Sequence, residues 1–159
     1  VTSLQNNLSQ LQALYNLHSH KPNVQFYEGK DQVISVFEES LQAEKIYFYF
    51  MTEVFQAKLA DYLDTFFEKI GKNMIQTYGM VASSLKRNIK QEHTSRNQVI
   101  IIPQEYTAQT DFLICDTKIA YIQVKEDTIS ALVIDDPHIC FFEKTRYIML
   151  WKLLSGQKL

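Results

Sequence analysis

Four histidines, two cysteines and the carboxylate pairs Glu38-Glu39 and Asp135-Asp136 are the side chains best equipped for chemistry in this 159-residue chain. His18, His20, His93 and His138 form no helical His-x-x-x-His pair and flank no spaced cysteine pair, so no metal site is indicated. His18-Ser19-His20 has the spacing of a weak chelate, but it reads as a loop at a helix end. Cys115 and Cys140 lie among apolar neighbours, where a thiol is usually inert, which disfavours a Cys–His nucleophile pair. A buried, reduced pair is expected, with a single disulfide as the alternative. Glu38-Glu39 falls on a helix flank and Asp135-Asp136 precedes a helix start, so neither pair needs a catalytic explanation. The sequence has no G-x-G-x-x-G, no Walker loop and no G-x-S-x-G. No catalytic residue, metal or cofactor is expected.

Binding is better signalled. Tyr27, Tyr47, Tyr49, Tyr62, Tyr78, Tyr106 and Tyr121 fall on strands or strand ends. Each joins an apolar body to a hydroxyl able to meet a ligand, although any single one also fits a core tyrosine with its hydroxyl at the rim. In open α/β sheets, ligands gather outside the carboxyl ends of strands. Two such ends are Tyr27-Glu28-Gly29 and Met51-Thr52-Glu53, and a helix start with free N–H groups follows each. Tyr27, Glu28, Gly29, Thr52 and Glu53 are therefore the candidate ligand-binding residues, suited to an anionic or hydroxyl-rich compound.

The elements that would position these residues alternate. A strand at 24–27 leads through Gly29-Lys30-Asp31 into a helix with Val33, Ile34, Phe37 and Leu41 on one face. The run 45–51 is apolar and aromatic throughout, as in a strand buried on both faces of a parallel sheet. A helix starts at Thr52 or Glu53, carries Phe55, Leu59, Tyr62, Leu63, Phe66, Phe67 and Ile70, and stops at Gly71. A weaker strand at 74–81, a helix at 82–93 and a short strand at 99–102 follow. Strands at 110–115, 118–124 and 128–134 are joined by turns at Asp116-Thr117 and Glu126-Asp127. Asp135-Asp136-Pro137 opens a closing helix, with Phe141, Phe142, Ile148, Trp151 and Leu154 expected in the core. The pattern predicts an α/β fold: a mixed sheet with a parallel core, an antiparallel extension and helices on both faces.

Residues 1–20 carry no Lys, Arg, Asp or Glu. Leu4, Leu8, Leu11, Tyr15 and His18 follow the spacing of a coiled-coil seam, so this segment reads as a dimerisation helix ended by Pro22. A helix packed on its own domain fits the spacing as well. Residues 21–159 would then form the α/β domain. The apolar fraction of 46% supports a true core, and a net charge of −2 supplies no overall basic field for nucleic acid. The sequence holds no apolar stretch of membrane-spanning length and no secretory signal pattern, so a cytoplasmic protein is expected.

The segment Lys21-Pro22-Asn23-Val24-Gln25-Phe26-Tyr27-Glu28-Gly29-Lys30 resembles the entry to the C-terminal effector domain of TrmB-like transcriptional regulators, written KPKVRFYEGKEGI. Lys118-Ile119-Ala120 resembles a turn of that family, and residues 141–154, with Tyr147 and Trp151, resemble its closing helix. The resemblance implies a phospholipase D-like fold with effectors, sugars among them, as ligands. It also implies a homodimer and a winged helix that reads DNA from outside this chain. The catalytic H-x-K-x4-D motif of fold relatives has no match here, since Lys21 follows His20 directly and Thr94-Ser95-Arg96 follow His93. The expected function is thus a non-catalytic effector-sensing and dimerising domain. A degenerate phosphodiesterase using His93 or His138, and a ligand-free interaction module, are the alternatives.

Overall fold

The computed structural model describes residues 21–85 and 96–156. The helix expected in residues 1–20, with Leu4, Leu8, Leu11 and Tyr15, lies outside the described residues, as does most of the helix expected at 82–93. Residues 82–85 close a strand and form the 3-10 turn Ser83–Leu85.

Ten longer elements follow one another: β1 (Asn23–Glu28), α1 (Lys30–Ser40), β2 (Lys45–Phe50), α2 (Glu53–Lys72), β3 (Gln76–Ala82), β4 (Asn97–Ile102), β5 (Asp111–Cys115), β6 (Lys118–Lys125), β7 (Thr128–Asp135) and α3 (Pro137–Ser155). The strands form one seven-stranded sheet in the order β1-β7-β6-β5-β2-β3-β4. β2, β3 and β4 are parallel, whereas β5, β6, β7 and β1 extend the sheet antiparallel from β2. The mixed sheet expected from the sequence is thus present. β1, however, lies outside the parallel core, at the far edge against β7.

Local chemistry explains the hairpins. Cys115 faces Lys118 and Lys125 faces Thr128, so each turn has two residues. Glu126 and Asp127 both have positive φ, as does Asp116, the condition that lets a tight turn match the twist of its strands. Gly29 sits at φ 92 between β1 and α1, a conformation that suits glycine, and its N–H donates to Ile129 O at 2.8 Å.

Successive side chains of β2 point to opposite faces. Ile46, Phe48 and Phe50 meet α1 and α2, where Phe37 packs on Phe50, Phe55 and Phe66 with ring centroids 5.1–6.4 Å apart. The α2 stripe expected from the sequence is present: Phe55, Leu59, Leu63, Phe66 and Ile70 are buried. On the other face, Tyr47 and Tyr78 meet Tyr147 and Trp151 of α3. Helices therefore cover both faces.

The inward side of α3 differs from expectation. Cys140, Tyr147 and Trp151 are buried, while Phe141 and Phe142 are 72% and 61% exposed and Leu154 is also exposed. The helix is apolar nearly all round, so periodicity leaves its rotation open. Packing decides it: the Tyr147 hydroxyl lies 3.0 Å from Phe48 O and 2.9 Å from Tyr78 O, on neighbouring parallel strands. Both cysteines are free and buried, and burial pushes the Cys115 thiol up to about 12.

Glu38 ties α1 to α2. Its carboxylate accepts from Lys69 Nζ at 2.7 and 2.8 Å and from the Tyr62 hydroxyl at 2.7 Å. The Lys69 bond, then the Tyr62 bond, hold its pKa below the ordinary carboxylate value. A lowered folded pKa gives stability that is complete above the unfolded value and lost as pH falls through the folded one. Wild type should therefore melt above Glu38→Gln near neutral pH, with the difference closing as pH falls below the unfolded carboxylate value. A difference that persists in strong acid would assign the effect to packing. The group is largely solvated, so the effect is small.

Candidate ligand-binding groove

One row of side chains crosses the sheet on the α3 face. Phe26 of β1 pairs with Leu132 of β7, Leu132 with Tyr121 of β6, Tyr121 with Phe112 of β5, and Phe112 with Tyr49 of β2. Tyr49 and Phe112 stack with centroids 5.2 Å apart and planes 8° apart, and Tyr121 tilts against Phe112 at 5.9 Å. α3 covers the row only in part, with Tyr147 set edge-on to Phe112 at 6.3 Å. Phe26, at the free end, is 64% exposed.

The row forms the floor of a groove of about 430 Å³, a volume suited to a small ligand. Its rim comes from Ser130 and Gln123, two positions along β7 and β6 from the floor, and from Thr110, just before β5. Gln123 Nε2 donates to Thr110 Oγ1 at 3.0 Å, which leaves the amide oxygen of Gln123 as an acceptor. No lining residue carries a charge. Burial raises the pKa of Tyr49 and Tyr121, so both hydroxyls remain protonated donors at neutral pH.

None of the candidate ligand-binding residues singled out from the sequence lines this groove: Phe26 and Phe112 face it, so Tyr27 and Asp111, the partner of Thr52, lie on the other face of the sheet. β1 and β2 run in the same direction, so Tyr27-Glu28-Gly29 and Thr52-Glu53 share one sheet edge. Three strands separate β1 from β2, which places the two clusters about 19 Å apart. They therefore do not converge on one small ligand. Glu28 pairs with Ser130 at the rim, and its N–H is held by Gln32 Oε1 at 3.1 Å. The Tyr27 hydroxyl donates to Gln25 Oε1 at 2.6 Å. Thr52 caps α2, accepting from Phe55 N at 3.3 Å while its hydroxyl donates to Asp111. Glu53 is exposed in the first turn of α2.

Sequence reasoning named Tyr49 and Tyr121 among its tyrosines but missed Phe26, Phe112, Leu132 and the polar rim. It also missed Asp111, a fully buried carboxylate that accepts from Met51 N at 2.5 Å, from Thr52 N at 3.0 Å and from the Thr52 hydroxyl. Burial raises its pKa, and the three donors oppose that shift. Asp111 thereby anchors the end of β2 beside the groove.

His138 lies exposed in the first turn of α3, which follows the end of β7 at the opposite edge of the sheet from the groove rim. His93 lies outside the described residues. Among the described residues no three His, Cys, Asp or Glu stand together as metal ligands. No described helix is long and apolar enough to cross a membrane.

No protein-family model matches this chain, and no curated protein matches it. Solved structures do. TrmBL2, an archaeal chromatin protein described as showing a novel mode of DNA binding, aligns with a TM-score of 0.61 at 14% identity. The alignment covers 95% of this chain and 61% of that one, so the chain spans about three-fifths of TrmBL2. NucT from Helicobacter pylori aligns with a TM-score of 0.59 at 10% identity, over 80% of this chain and 94% of its own. Polyphosphate kinase from Porphyromonas gingivalis gives 0.53 at 7% identity, over 86% of this chain and 26% of its own. The fold is the phospholipase D-like one, shared by a chromatin protein and by enzymes.

Proposed function

We propose that this chain is a non-catalytic regulatory domain of the TrmB-like kind, which binds a small effector and pairs with a second copy of itself. The chemistry of the groove carries the reading. Stabilising a transferring phosphoryl group takes fixed cationic or donor groups and a positioned nucleophile. The groove lining holds no His, Lys or Arg. An aromatic floor with a few polar rim groups is instead the make-up of a binding site. The fold likeness to TrmBL2 over nearly the whole chain supports the regulatory class.

In this reading Leu4, Leu8, Leu11 and Tyr15 form the pairing seam. Tyr27, Glu28 and Gly29, with Thr52 and Glu53, would meet an effector only where it extends past the groove to the strand ends. DNA contact would fall to a winged helix and not to the described α/β domain. Effector binding would shift the population of paired arrangements and so the spacing of attached DNA-binding units. Light scattering tests the pairing. The full chain is expected at twice its monomer mass, and a version starting at Lys21 at the monomer mass. Equal monomeric masses would sink the seam. Turnover of a simple phosphodiester by the full chain, lost in His138→Ala, would overturn the non-catalytic assignment.

A further inference from the structure

The two halves of the groove floor differ, and the difference selects a ligand. On the β2 side, Tyr49, Phe112 and Tyr121 fill the row ring against ring. On the β1 side, Leu132 stands between Tyr121 and Phe26. A leucine is shorter than either ring, so a slot opens above it. Its walls rise from strands two spacings apart, about 9.6 Å at the backbone. A flat ring in van der Waals contact on both sides needs about 7 Å between the wall rings. An aliphatic chain would leave that slot part-empty, and aromatic walls favour a flat ring that can stack on them.

Ser130 precedes Leu132 on the same face of β7, and Gln123, the partner of Ser130, follows Tyr121 on antiparallel β6, so both polar groups stand at one end of the slot. One N–H of the Gln123 amide is given to Thr110, and the amide oxygen is an acceptor for a ligand donor. Ser130 offers a hydroxyl that both donates and accepts. With no charged lining residue, an anionic ligand would lose hydration without a partner.

We propose that the groove takes an uncharged planar heterocycle with N–H donors along one edge, a nucleobase or nucleoside, seated over Leu132 between Tyr121 and Phe26. This rests on the effector-binding reading and names the class of its ligand. The phosphorylated forms bind more weakly, because no residue lining the slot carries a positive charge.

Calorimetric titration of the full chain with adenosine, guanosine, cytidine and uridine tests the proposal, with the matching 5′-monophosphates and the neutral disaccharide maltose in parallel. At least one nucleoside is expected to bind, and its monophosphate more weakly. Leu132→Phe fills the slot at a solvent-facing position that tolerates bulk, and should weaken nucleoside binding at least about tenfold. Ser130→Ala should weaken it less. Nucleoside binding unchanged in Leu132→Phe would overturn the site. Maltose binding lost in Leu132→Phe, with no nucleoside bound, would overturn the nucleobase class and leave the effector reading standing. Binding of neither class would overturn both.

Discussion

Asp111→Ala is expected to lower the unfolding free energy by about 3 kcal/mol, read from denaturant midpoints at unchanged slope. Three donors converge on this carboxylate: Met51 N at 2.5 Å, Thr52 N at 3.0 Å and the Thr52 hydroxyl. β2 ends at Phe50 and α2 starts at Glu53, so these donors belong to the two-residue link between strand and helix. Alanine would leave two amide N–H groups there without acceptors, in a buried or half-buried setting. Buried unsatisfied donors cost about 1–3 kcal/mol each, and rearrangement recovers part of that. Asp111→Asn should cost less than half as much. Its amide oxygen still accepts from the two N–H groups, and a neutral side chain avoids the desolvation that raises the pKa of Asp111. Equal losses in the two variants would show that charge matters more than the acceptor geometry. Because Asp111 neighbours Phe112 on β5, the alanine variant should also disturb the Tyr49–Phe112 stack and weaken any groove ligand.

Much of this site was readable in principle, and the reason some of it was not is register. The run 45–51 announces a strand buried on both faces, since alternation is absent and every residue from Ile46 to Met51 is apolar or aromatic. The two-residue turns at Asp116-Thr117 and Glu126-Asp127 fix pairings by themselves. Counting back from each turn sets Phe112 opposite Tyr121 and Tyr121 opposite Leu132, which the structure has. The centre of the groove floor was therefore available from turn chemistry. Its ends were not. Phe26 reaches Leu132 across 106 positions of sequence and Tyr49 reaches Phe112 across 63, with helices between, so no local rule sets those registers. For the same reason the two strand ends chosen from the sequence look like neighbours when β1 and β2 are assumed adjacent. The insertion of β5, β6 and β7 between them sets the two candidate clusters far apart along one end of the sheet.

Gly79→Ala is the other change with a large expected effect, about 2–3 kcal/mol of stability. A glycine inside a strand weakens it unless something approaches the backbone closely. At Gly79 that neighbour is Phe48, its partner on β2. A Cβ built at Gly79 would overlap Cε2 and Cζ of the Phe48 ring and lie 3.1 Å from Cδ2. The ring has little freedom to give way. It is fully buried, stacks on Phe50 at 4.7 Å and meets Phe67 of α2 edge-on at 6.0 Å. Phe50 in turn meets Phe37 and Phe55, so a shift of Phe48 passes into the whole α1–α2 face of the core. If the cost of Gly79→Ala is this overlap, shortening the partner relieves it. The double variant Gly79→Ala with Phe48→Leu should then be more stable than the sum of the two single losses predicts, by about 1–2 kcal/mol. Additive losses would mean that Gly79 is needed for backbone conformation. That outcome is disfavoured by its φ, which is not positive, and by its regular pairing with Phe48 on one side and Val99 on the other.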